Sequence, residues 1–342
     1  MIRFGVIGYG YWGPNIARAL MEVDAAAVHA IADVSSEALG RAGKRHPSVL
    51  LQSDWREVVA DPAIDAIVVA TPVNHHFEIA LAALRAGKHV LVEKPMTADV
   101  GQAWRLVEEA RRRSRVLMVD HTFVYTGAVQ AIHGLIETGH LGDLYYYDSI
   151  RVNLGNFQND VNVIWDLAAH DFAILDFLSS SRPMAISATA AGFLSDRPEN
   201  MAHLSVYYED GSMANLNVNW LAPIKVRQVL LGGSRRMVIY DDMETSEKVK
   251  VYDRGVTLSD DPEAVQMRRV SYRVGDMWAP VISAKEALLT ELEHFCSVIE
   301  TGAAPMSDGL SGLRVVEMLS AASHSMRLRG QPVEMHELRK AS

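Results

Sequence analysis

Short apolar runs alternate with longer amphipathic segments over the first third of the chain. Continuous apolar runs are typical of parallel strands buried on both faces, and the segments between them are long enough to form crossover helices. The predicted strands are FGVIG, VHAIAD, DAIVVA, HVLVE and VLMVD, and the predicted helices cover residues 14–23, 36–45, 75–86 and 98–113. The pattern therefore predicts an α/β domain over residues 1–120 with a doubly wound parallel sheet.

After residue 120, strand-like segments follow one another with few helices between them. The predicted strands cover 144–152, 185–192, 201–208, 213–220, 228–231 and 237–240, and helical patterns cover 165–178, 284–300 and 310–327. The pair Asp210–Gly211 between two of these strands is a strong hairpin signal. We expect a second, α+β domain over residues 121–342, with a largely antiparallel sheet and closing helices at its C-terminal end.

Composition narrows the class of protein. A chain of 342 residues that is 49% hydrophobic is large enough for two cores, and a net charge of −9 disfavours nucleic-acid binding. Met1 leads directly into a strand pattern and no run of 18 apolar residues occurs, so we expect a cytoplasmic protein without secretion signal or membrane contact. The single cysteine, Cys296, excludes an intrachain disulfide and is expected to be a buried structural thiol.

Three glycines mark the turn between the first predicted strand and the first helix. Gly8, Gly10 and Gly13 form the segment GYGYWG. In this context the first glycine permits a tight turn, the second lets the backbone approach a pyrophosphate, and the third lets helix and strand pack closely. The free N–H groups at the helix N-terminus favour an anion. The segment predicts a Rossmann dinucleotide loop, with Tyr11 and Trp12 beside the cofactor.

An acidic residue ends the second predicted strand. Asp33 lies 20 residues after Gly13, where a carboxylate accepts hydrogen bonds from an adenosine ribose diol. The 2′-phosphate of NADP would meet this negative charge, and the next three residues, VSS, offer no arginine to offset it. The sequence therefore favours NAD over NADP as the cofactor.

Two further polar segments follow predicted strands of the same sheet. Thr71 and Pro72 follow one strand, and Glu93, Lys94 and Pro95 follow another. Because ligands bind beyond the carboxyl ends of parallel strands, we expect these residues to face the cofactor. A lysine at this position can stabilise the alkoxide that develops during hydride transfer, although a Glu-Lys-Pro tripeptide is also typical of a plain loop. Pro95 is a candidate for a cis peptide bond that would aim Lys94.

Two adjacent histidines, His75 and His76, follow Thr71 and Pro72. Adjacent side chains on a helix diverge, and no third ligand at useful spacing is apparent, so we predict no metal site. We place His75 with the cofactor-contacting residues, and a structural role is the alternative.

Asp166 and His170 are four residues apart in the predicted helix IWDLAAHDFAILDFL and therefore share one helical face. Histidine titrates near neutral pH, and a neighbouring carboxylate can orient its ring, so the pair is a candidate acid and base. A structural pair has the same spacing. Asp171 points about 100° away on an ideal helix and is the weaker candidate.

The succession GYGYWG, Asp33, ATPVNHH, EKP and WDLAAHD resembles the Gfo/Idh/MocA oxidoreductases, the glucose-fructose oxidoreductase and inositol dehydrogenase family, along nearly the whole chain. The resemblance implies that Lys94, Asp166 and His170 carry hydride transfer between NAD and a secondary carbon of a sugar, nucleotide-linked sugar or cyclitol. It also implies an open mixed sheet in the second domain, whose exposed face builds homodimers or homotetramers.

The chain departs from the family pattern where substrate would be recognised. Many relatives carry an arginine shortly after the strand that ends the first domain, whereas this chain reads DHTFVYTGAV, and NLGNFQNDVNVIWD lacks the usual glycine-rich stretch. Candidate substrate contacts, each equally compatible with a structural role, are Tyr125, Arg151, Asn153, Asn162 and Trp165.

Two other functions stay open at this point. Some relatives use NAD as a transiently reduced cofactor and cleave a glycosidic bond without net formation of NADH. A non-catalytic sensor that binds the dinucleotide is the third possibility. The joint presence of Lys94, Asp166 and His170 argues against the sensor, because a binding protein needs none of them in this arrangement.

Overall fold

The computed structural model describes residues 1–155, 161–194, 197–258 and 270–336. The chain forms two compact units, each described separately below. Of the described residues, the first unit comprises Met1–Thr126 and Lys285–Ser320, and the second comprises those within Gly127–Ala284 and residues 321–336.

The first unit is built on a six-stranded sheet in which every neighbouring pair is parallel. The strand order is β3-β2-β1-β4-β5-β6, which reverses direction beside β1 and confirms the predicted doubly wound sheet. The strands are β1 (Ile2–Ile7), β2 (Ala26–Ala32), β3 (Leu50–Gln52), β4 (Ala66–Val69), β5 (His89–Glu93) and β6 (Leu117–Asp120). All four residues of β4 are buried, as expected of a central strand covered on both faces.

Five helices connect these strands: α1 (Gly13–Glu22), α2 (Ser36–Arg45), α3 (Trp55–Ala60), α4 (Val73–Arg85) and α5 (Val100–Arg113). The side chains of Ser35, Asp54 and Asp99 cap α2, α3 and α5 by accepting a backbone N–H of the first turn. A 3₁₀ turn (Thr122–Tyr125) follows β6. The carboxyl ends of the parallel strands therefore open into short, well-anchored loops.

The second unit contains a nine-stranded sheet in the order β14-β13-β12-β11-β7-β10-β9-β8-β15. The pair β7 and β10 is parallel and the other pairs are antiparallel, which confirms the predicted α+β class. The strands are β7 (Leu144–Leu154), β8 (Pro183–Ala191), β9 (Met201–Tyr208), β10 (Met213–Asn219), β11 (Leu221–Gly233), β12 (Met237–Asp241), β13 (Val249–Leu258), β14 (Val270–Trp278) and β15 (Val333–Glu334). The predicted hairpin joins β9 and β10, and Gly211 has a φ of +84° in its turn.

Two helical segments accompany this sheet in sequence. The first is α6 (Gly127–Glu137), and the second begins with a π-helical turn (Ile164–Ala168) and continues as α7 (Ala169–Leu178). Asn162 caps the π-helical turn, because its side-chain oxygen accepts a hydrogen bond from the backbone N–H of Trp165 at 3.2 Å. The predicted helix over residues 165–178 is present, but its first turn is wider than the sequence pattern indicated.

The C-terminal helices are α8 (Ala287–Thr301) and α9 (Gly309–Arg327). The sequence pattern placed both in the second domain, whereas the structure assigns α8 and the part of α9 up to Ser320 to the first unit. The reason is apolar packing, since α8 lies against α1 and the ring of Phe295 contacts that of Phe4 at a centroid distance of 6.0 Å. No helix among the described residues is long and apolar enough to cross a membrane.

Candidate functional site

The glycine loop after β1 is shaped by contacts that leave no room for a side chain. Gly8 has a φ of +97°, and a Cβ there would lie 2.4 Å from the carbonyl oxygen of Ala70. A Cβ at Gly13 would lie 2.0 Å from the carbonyl oxygen of Gly8, whereas a Cβ at Gly10 would meet no described atom within 4 Å. Gly8 and Gly13 therefore allow the backbone around the strand and the helix to pack closely. The backbone at Gly10 is open to close approach by another molecule.

Asp33 connects the end of β2 to this loop. Its carboxylate accepts hydrogen bonds from the backbone N–H groups of Tyr9 at 2.6 Å and Ser35 at 2.8 Å. From α2, the guanidinium of Arg41 donates to the carbonyl oxygen of Tyr9 at 3.5 Å. Arg41 therefore contacts the glycine loop from the helix that follows Asp33.

The two aromatic residues of the loop have different environments. The side chain of Tyr11 is 84% exposed. Trp12 is half-buried, and its indole N–H donates to the carboxylate of Asp120 at 2.9 Å, joining the glycine loop to the carboxyl end of β6. The Trp12 side chain thus has a structural partner that the sequence pattern did not indicate.

Three carboxyl groups meet at the carboxyl ends of β5 and β6. Glu93 and Asp120 are register partners on the two strands, and Thr122 donates to Asp120 at 2.5 Å. Burial, and then the neighbouring Asp120, raise the pKa of Glu93 and the pKa of Glu291 on α8 well above the ordinary value. Burial at the strand ends therefore disfavours the charged form of both glutamates. Nothing in the local sequence pointed to Glu291, which reaches the strand ends from α8.

The two adjacent histidines have different environments at the predicted cofactor edge. His75 is exposed, whereas the buried ring of His76 lies between the carbonyl oxygens of Thr71, 2.7 Å from Nε2, and Pro95, 3.0 Å from Nδ1. Burial lowers the pKa of His76, and the backbone carbonyl partners act in the opposite direction. The peptide bond between Lys94 and Pro95 is cis, as the sequence suggested. One side chain thus joins the loop after β4 to the loop after β5.

In the second unit, Asp166 lies in the π-helical turn and His170 lies in the first turn of α7. The indole N–H of the buried Trp220 donates to the Asp166 carboxylate at 3.1 Å. Both Asp166 and His170 are partly exposed. Short π-helical segments inside α-helices are frequent at functional sites, and this one carries the predicted carboxylate.

Tyr125, a predicted substrate contact, is buried and bonded to other residues of the first unit. It is 2% exposed within the first unit, and its hydroxyl lies 3.0 Å from Nδ1 of His294 and 3.1 Å from Oγ of Ser307. The 3₁₀ turn after β6 directs the ring toward α8, so Tyr125 links segments of the first unit.

Three of the four predicted substrate contacts in the second unit also bond within the protein. Arg151 is 5% exposed and ion-paired with Asp171, and the indole N–H of Trp165 donates to Ser323 Oγ at 2.8 Å. Asn162 bonds to Glu199 in addition to its capping role. These bonds give the three residues structural partners, and their contact with substrate stays a prediction. Asn153 is half-buried and keeps its place as a candidate contact.

The described residues contain no group of three or more His, Cys, Asp or Glu side chains that could hold a metal ion. Cys296 is buried on α8, and burial raises the pKa of its thiol to about 11. The thiol is therefore not a reactive group, as expected.

The parallel sheet, the glycine loop and Asp33 together define a dinucleotide-binding protein. A family model described as an oxidoreductase family with an NAD-binding Rossmann fold matches residues 2–121, and the GFO/IDH/MocA C-terminal domain matches residues 129–240. The chain belongs to the Gfo/Idh/MocA family of oxidoreductases.

Individual relatives resemble the chain over almost its full length. It is 26% identical to the UDP-N-acetylglucosamine 3-dehydrogenase of Acidithiobacillus ferrooxidans over 318 residues, covering 92% of this chain and 94% of that protein. It is 22% identical to the myo-inositol 2-dehydrogenase of Thermotoga maritima, covering 95% and 96% of the two chains. The crystal structure of an oxidoreductase from Magnetospirillum magnetotacticum superposes with a TM-score of 0.80 at 27% identity, covering 94% and 99%.

Proposed function

We propose that this protein is an NAD-dependent dehydrogenase or reductase that acts on a secondary alcohol or ketone carbon of a sugar, nucleotide sugar or cyclitol. Membership of an oxidoreductase family supports the reaction class, and the names of the two relatives above support the substrate class. The observation that carries the proposal is that the glycine loop, Asp33 and the segment Glu93–Lys94 follow strands of one parallel sheet at the same edge.

The residues at this edge fit a bound NAD. The crowded glycines, Gly8 and Gly13, shape a loop whose backbone is open at Gly10, which suits a pyrophosphate, and the Asp33 carboxylate suits a ribose diol. Thr71, Pro72, Glu93 and Lys94 would contact the nicotinamide end. When bound, NAD accepts or returns the hydride.

The protein's own groups would move the proton and stabilise the charge. An imidazole nitrogen of His170, oriented by the Asp166 carboxylate, would take the hydroxyl proton as the substrate is oxidised, and would return it in the opposite direction. The ammonium of Lys94 would stabilise the oxyanion that develops on the substrate oxygen. Trp220 would hold Asp166 in place through its indole N–H.

The variant Lys94→Ala tests the catalytic assignment. We expect kcat to fall by roughly two to three orders of magnitude, because one preorganised charge partner of the oxyanion is lost, while NAD still binds. NADH absorbance is measured across a panel that includes UDP-N-acetylglucosamine and myo-inositol, and NAD affinity is measured by calorimetric titration of nucleotide-free protein. Lys44→Ala, an exposed change on α2, serves as control. Turnover of Lys94→Ala near that of the wild type would overturn the assignment, and NAD binding without a redox signal from any panel member would favour a sensor or a glycosidase.

We also propose that the protein assembles into a homodimer or homotetramer through the sheet of its second unit. The support is that three exposed apolar side chains, Ile150, Leu230 and Tyr207, lie on one face of that sheet on three different strands.

A further inference from the structure

A fully buried carboxylate lies directly after His170 on α7. Asp171 is 0% exposed and accepts four hydrogen bonds from β7: from Arg151 Nε at 2.7 Å and Nη2 at 3.2 Å, from Ser149 Oγ at 2.8 Å and from Tyr147 Oη at 3.3 Å. Asp171 is thus one of the most heavily bonded side chains of the second unit, although the sequence favoured Asp166 and His170 over it.

The three donors occupy alternate positions of one strand. Tyr147, Ser149 and Arg151 point to the same face of β7, because side chains in a strand alternate between its two faces. A single carboxylate that bonds all three positions determines both the rotation of α7 about its axis and its height along the strand. Neighbouring residues of a helix point about 100° apart, so the rotation that directs Asp171 to the sheet also sets the direction of His170.

The energetics favour a role in specifying geometry. Arg151 and Asp171 are both buried, so their two charges lose their hydration when α7 packs against β7. Two apolar side chains of similar volume would hold the helix to the sheet at lower cost, but they would tolerate rotation and sliding that a four-bond carboxylate does not.

The π-helical turn at the start of the same helix has its own attachments. Trp220 bonds Asp166, and Trp165 bonds Ser323. These contacts lie before α7, whereas Asp171 contacts the sheet one residue after His170. The π-helical turn and α7 are therefore held by separate sets of hydrogen bonds. The direction in which the His170 side chain points depends on the bonds made by Asp171.

We propose that Asp171, with Arg151, Ser149 and Tyr147, is a positioning cluster that holds α7 in the orientation in which His170 can work with Asp166. This inference rests on the catalytic role proposed for His170 above. The role proposed for Arg151 and Asp171 is to position His170, which differs from contacting substrate and from acting as an acid or base.

A double variant without the two buried charges distinguishes an effect on the orientation of His170 from an effect on the stability of the protein. Asp171→Asn leaves the Arg151 charge uncompensated and should lower the thermal midpoint, whereas Arg151→Met combined with Asp171→Leu removes both charges and should recover most of it. In the recovered double variant we expect backbone amides of residues 163–178 to exchange at least about tenfold faster than in the wild type. The ¹⁵N imidazole resonances of His170, assigned with His170→Asn, should also shift.

Turnover provides a second readout, with whichever of UDP-N-acetylglucosamine and myo-inositol the wild type oxidises. The double variant should lose roughly 100-fold in kcat with little change in KM, because displacing a catalytic group by about 1 Å costs that much. The matched control is Arg273→Met with Asp253→Leu, which removes an ion pair of 3.0 Å between β13 and β14, away from β7 in the strand order. This control should leave the exchange of residues 163–178 and the His170 resonances unchanged.

A double variant with recovered stability, wild-type exchange over residues 163–178 and wild-type His170 resonances would overturn the proposal, since the cluster would then be only a structural ion pair. Full turnover by His170→Asn would instead overturn the catalytic role of His170. The exchange and resonance measurements need no substrate, so the two failures are distinguishable.

Discussion

Asp33 has two kinds of partner at the residue scale, the backbone amides of its own loop and, in our proposal, the ribose of NAD. Asp33→Ser should weaken NAD binding about 10-fold or more, because a hydrogen bond to a charged group contributes roughly 1.5–3 kcal/mol. The affinity for NADP should rise relative to the affinity for NAD. The variant removes a negative charge that opposes the 2′-phosphate, while the positive charge of Arg41 stays close to the Tyr9 carbonyl. Calorimetric titration with both nucleotides measures the change.

Two variants serve as controls for this prediction. Adding Arg41→Ala to Asp33→Ser should abolish the relative gain of NADP, and Asp54→Ser, which exchanges one capping residue of α3 for another, should change neither affinity. An unchanged ratio of the two affinities in Asp33→Ser would show that Asp33 does not select the cofactor.

Residues that act through local backbone geometry could be predicted from the sequence. Gly8 and Gly13 followed from the strand, turn and helix around them, because a Cβ at either position would collide with neighbouring backbone. The bond between Trp12 and Asp120 could not be predicted, since it joins residues 108 positions apart and depends on β6 lying at the sheet edge.

At the scale of elements, α8 brings a buried acid to the ends of β5 and β6. The pKa of Glu291 is raised above the ordinary 4.5, so above that pH the unfolded chain ionises while the folded chain stays protonated. The contribution of Glu291 to stability therefore falls as pH rises. Because glutamine cannot ionise, the thermal midpoint of Glu291→Gln should rise relative to the wild type by a margin that is larger at pH 8 than at pH 5.

Glu300, exposed on the same helix, provides the matched control. The midpoint difference between Glu300→Gln and the wild type should be nearly the same at pH 5 and pH 8. If Glu291→Gln showed the same flat behaviour, Glu291 would ionise in the folded protein like an exposed acid.

Element types were predictable, but the direction of polar side chains was not. The alternation along β7 predicted a two-faced strand, yet the sequence alone did not show that Tyr147, Ser149 and Arg151 form the buried face. Alternating polar side chains on a strand usually indicate an exposed face. Here they are buried because they bond to Asp171, and the sequence did not show this because Asp171 lies on a separate helix. The π-helical turn was missed for a related reason, because it keeps the same apolar positions as an α-helix.

At the scale of the whole molecule, the exposed sheet face is the proposed contact between copies. Leu230→Glu would place a charge among apolar side chains that pack together in an oligomer, so we expect the measured mass to fall to that of one chain. Sedimentation equilibrium gives this mass, and NAD affinity should be retained. Val34→Glu, at an exposed position of the first unit, should leave the mass unchanged. An oligomer that survives Leu230→Glu would place the interface elsewhere.

The classes of the two sheets could be predicted from hydrophobic periodicity, whereas the division of the chain between the two units could not. The helical pattern of residues 287–301 is compatible with packing on either unit, and long-range contacts such as Phe295 with Phe4 and His294 with Tyr125 assign it to the first. Contacts between distant parts of the chain leave no periodic trace in the sequence.

The discontinuity of the first unit has a consequence for biosynthesis. A ribosome adding about 5–20 residues per second needs on the order of ten seconds to pass from residue 127 to residue 284. Throughout that interval the nascent dinucleotide-binding fold lacks α8, so the apolar surface around Phe4 stays uncovered. Nascent chains should therefore acquire full protease resistance only after Thr301 has left the exit tunnel, and general chaperones that bind exposed apolar surface have their longest opportunity at the amino-terminal part of the protein.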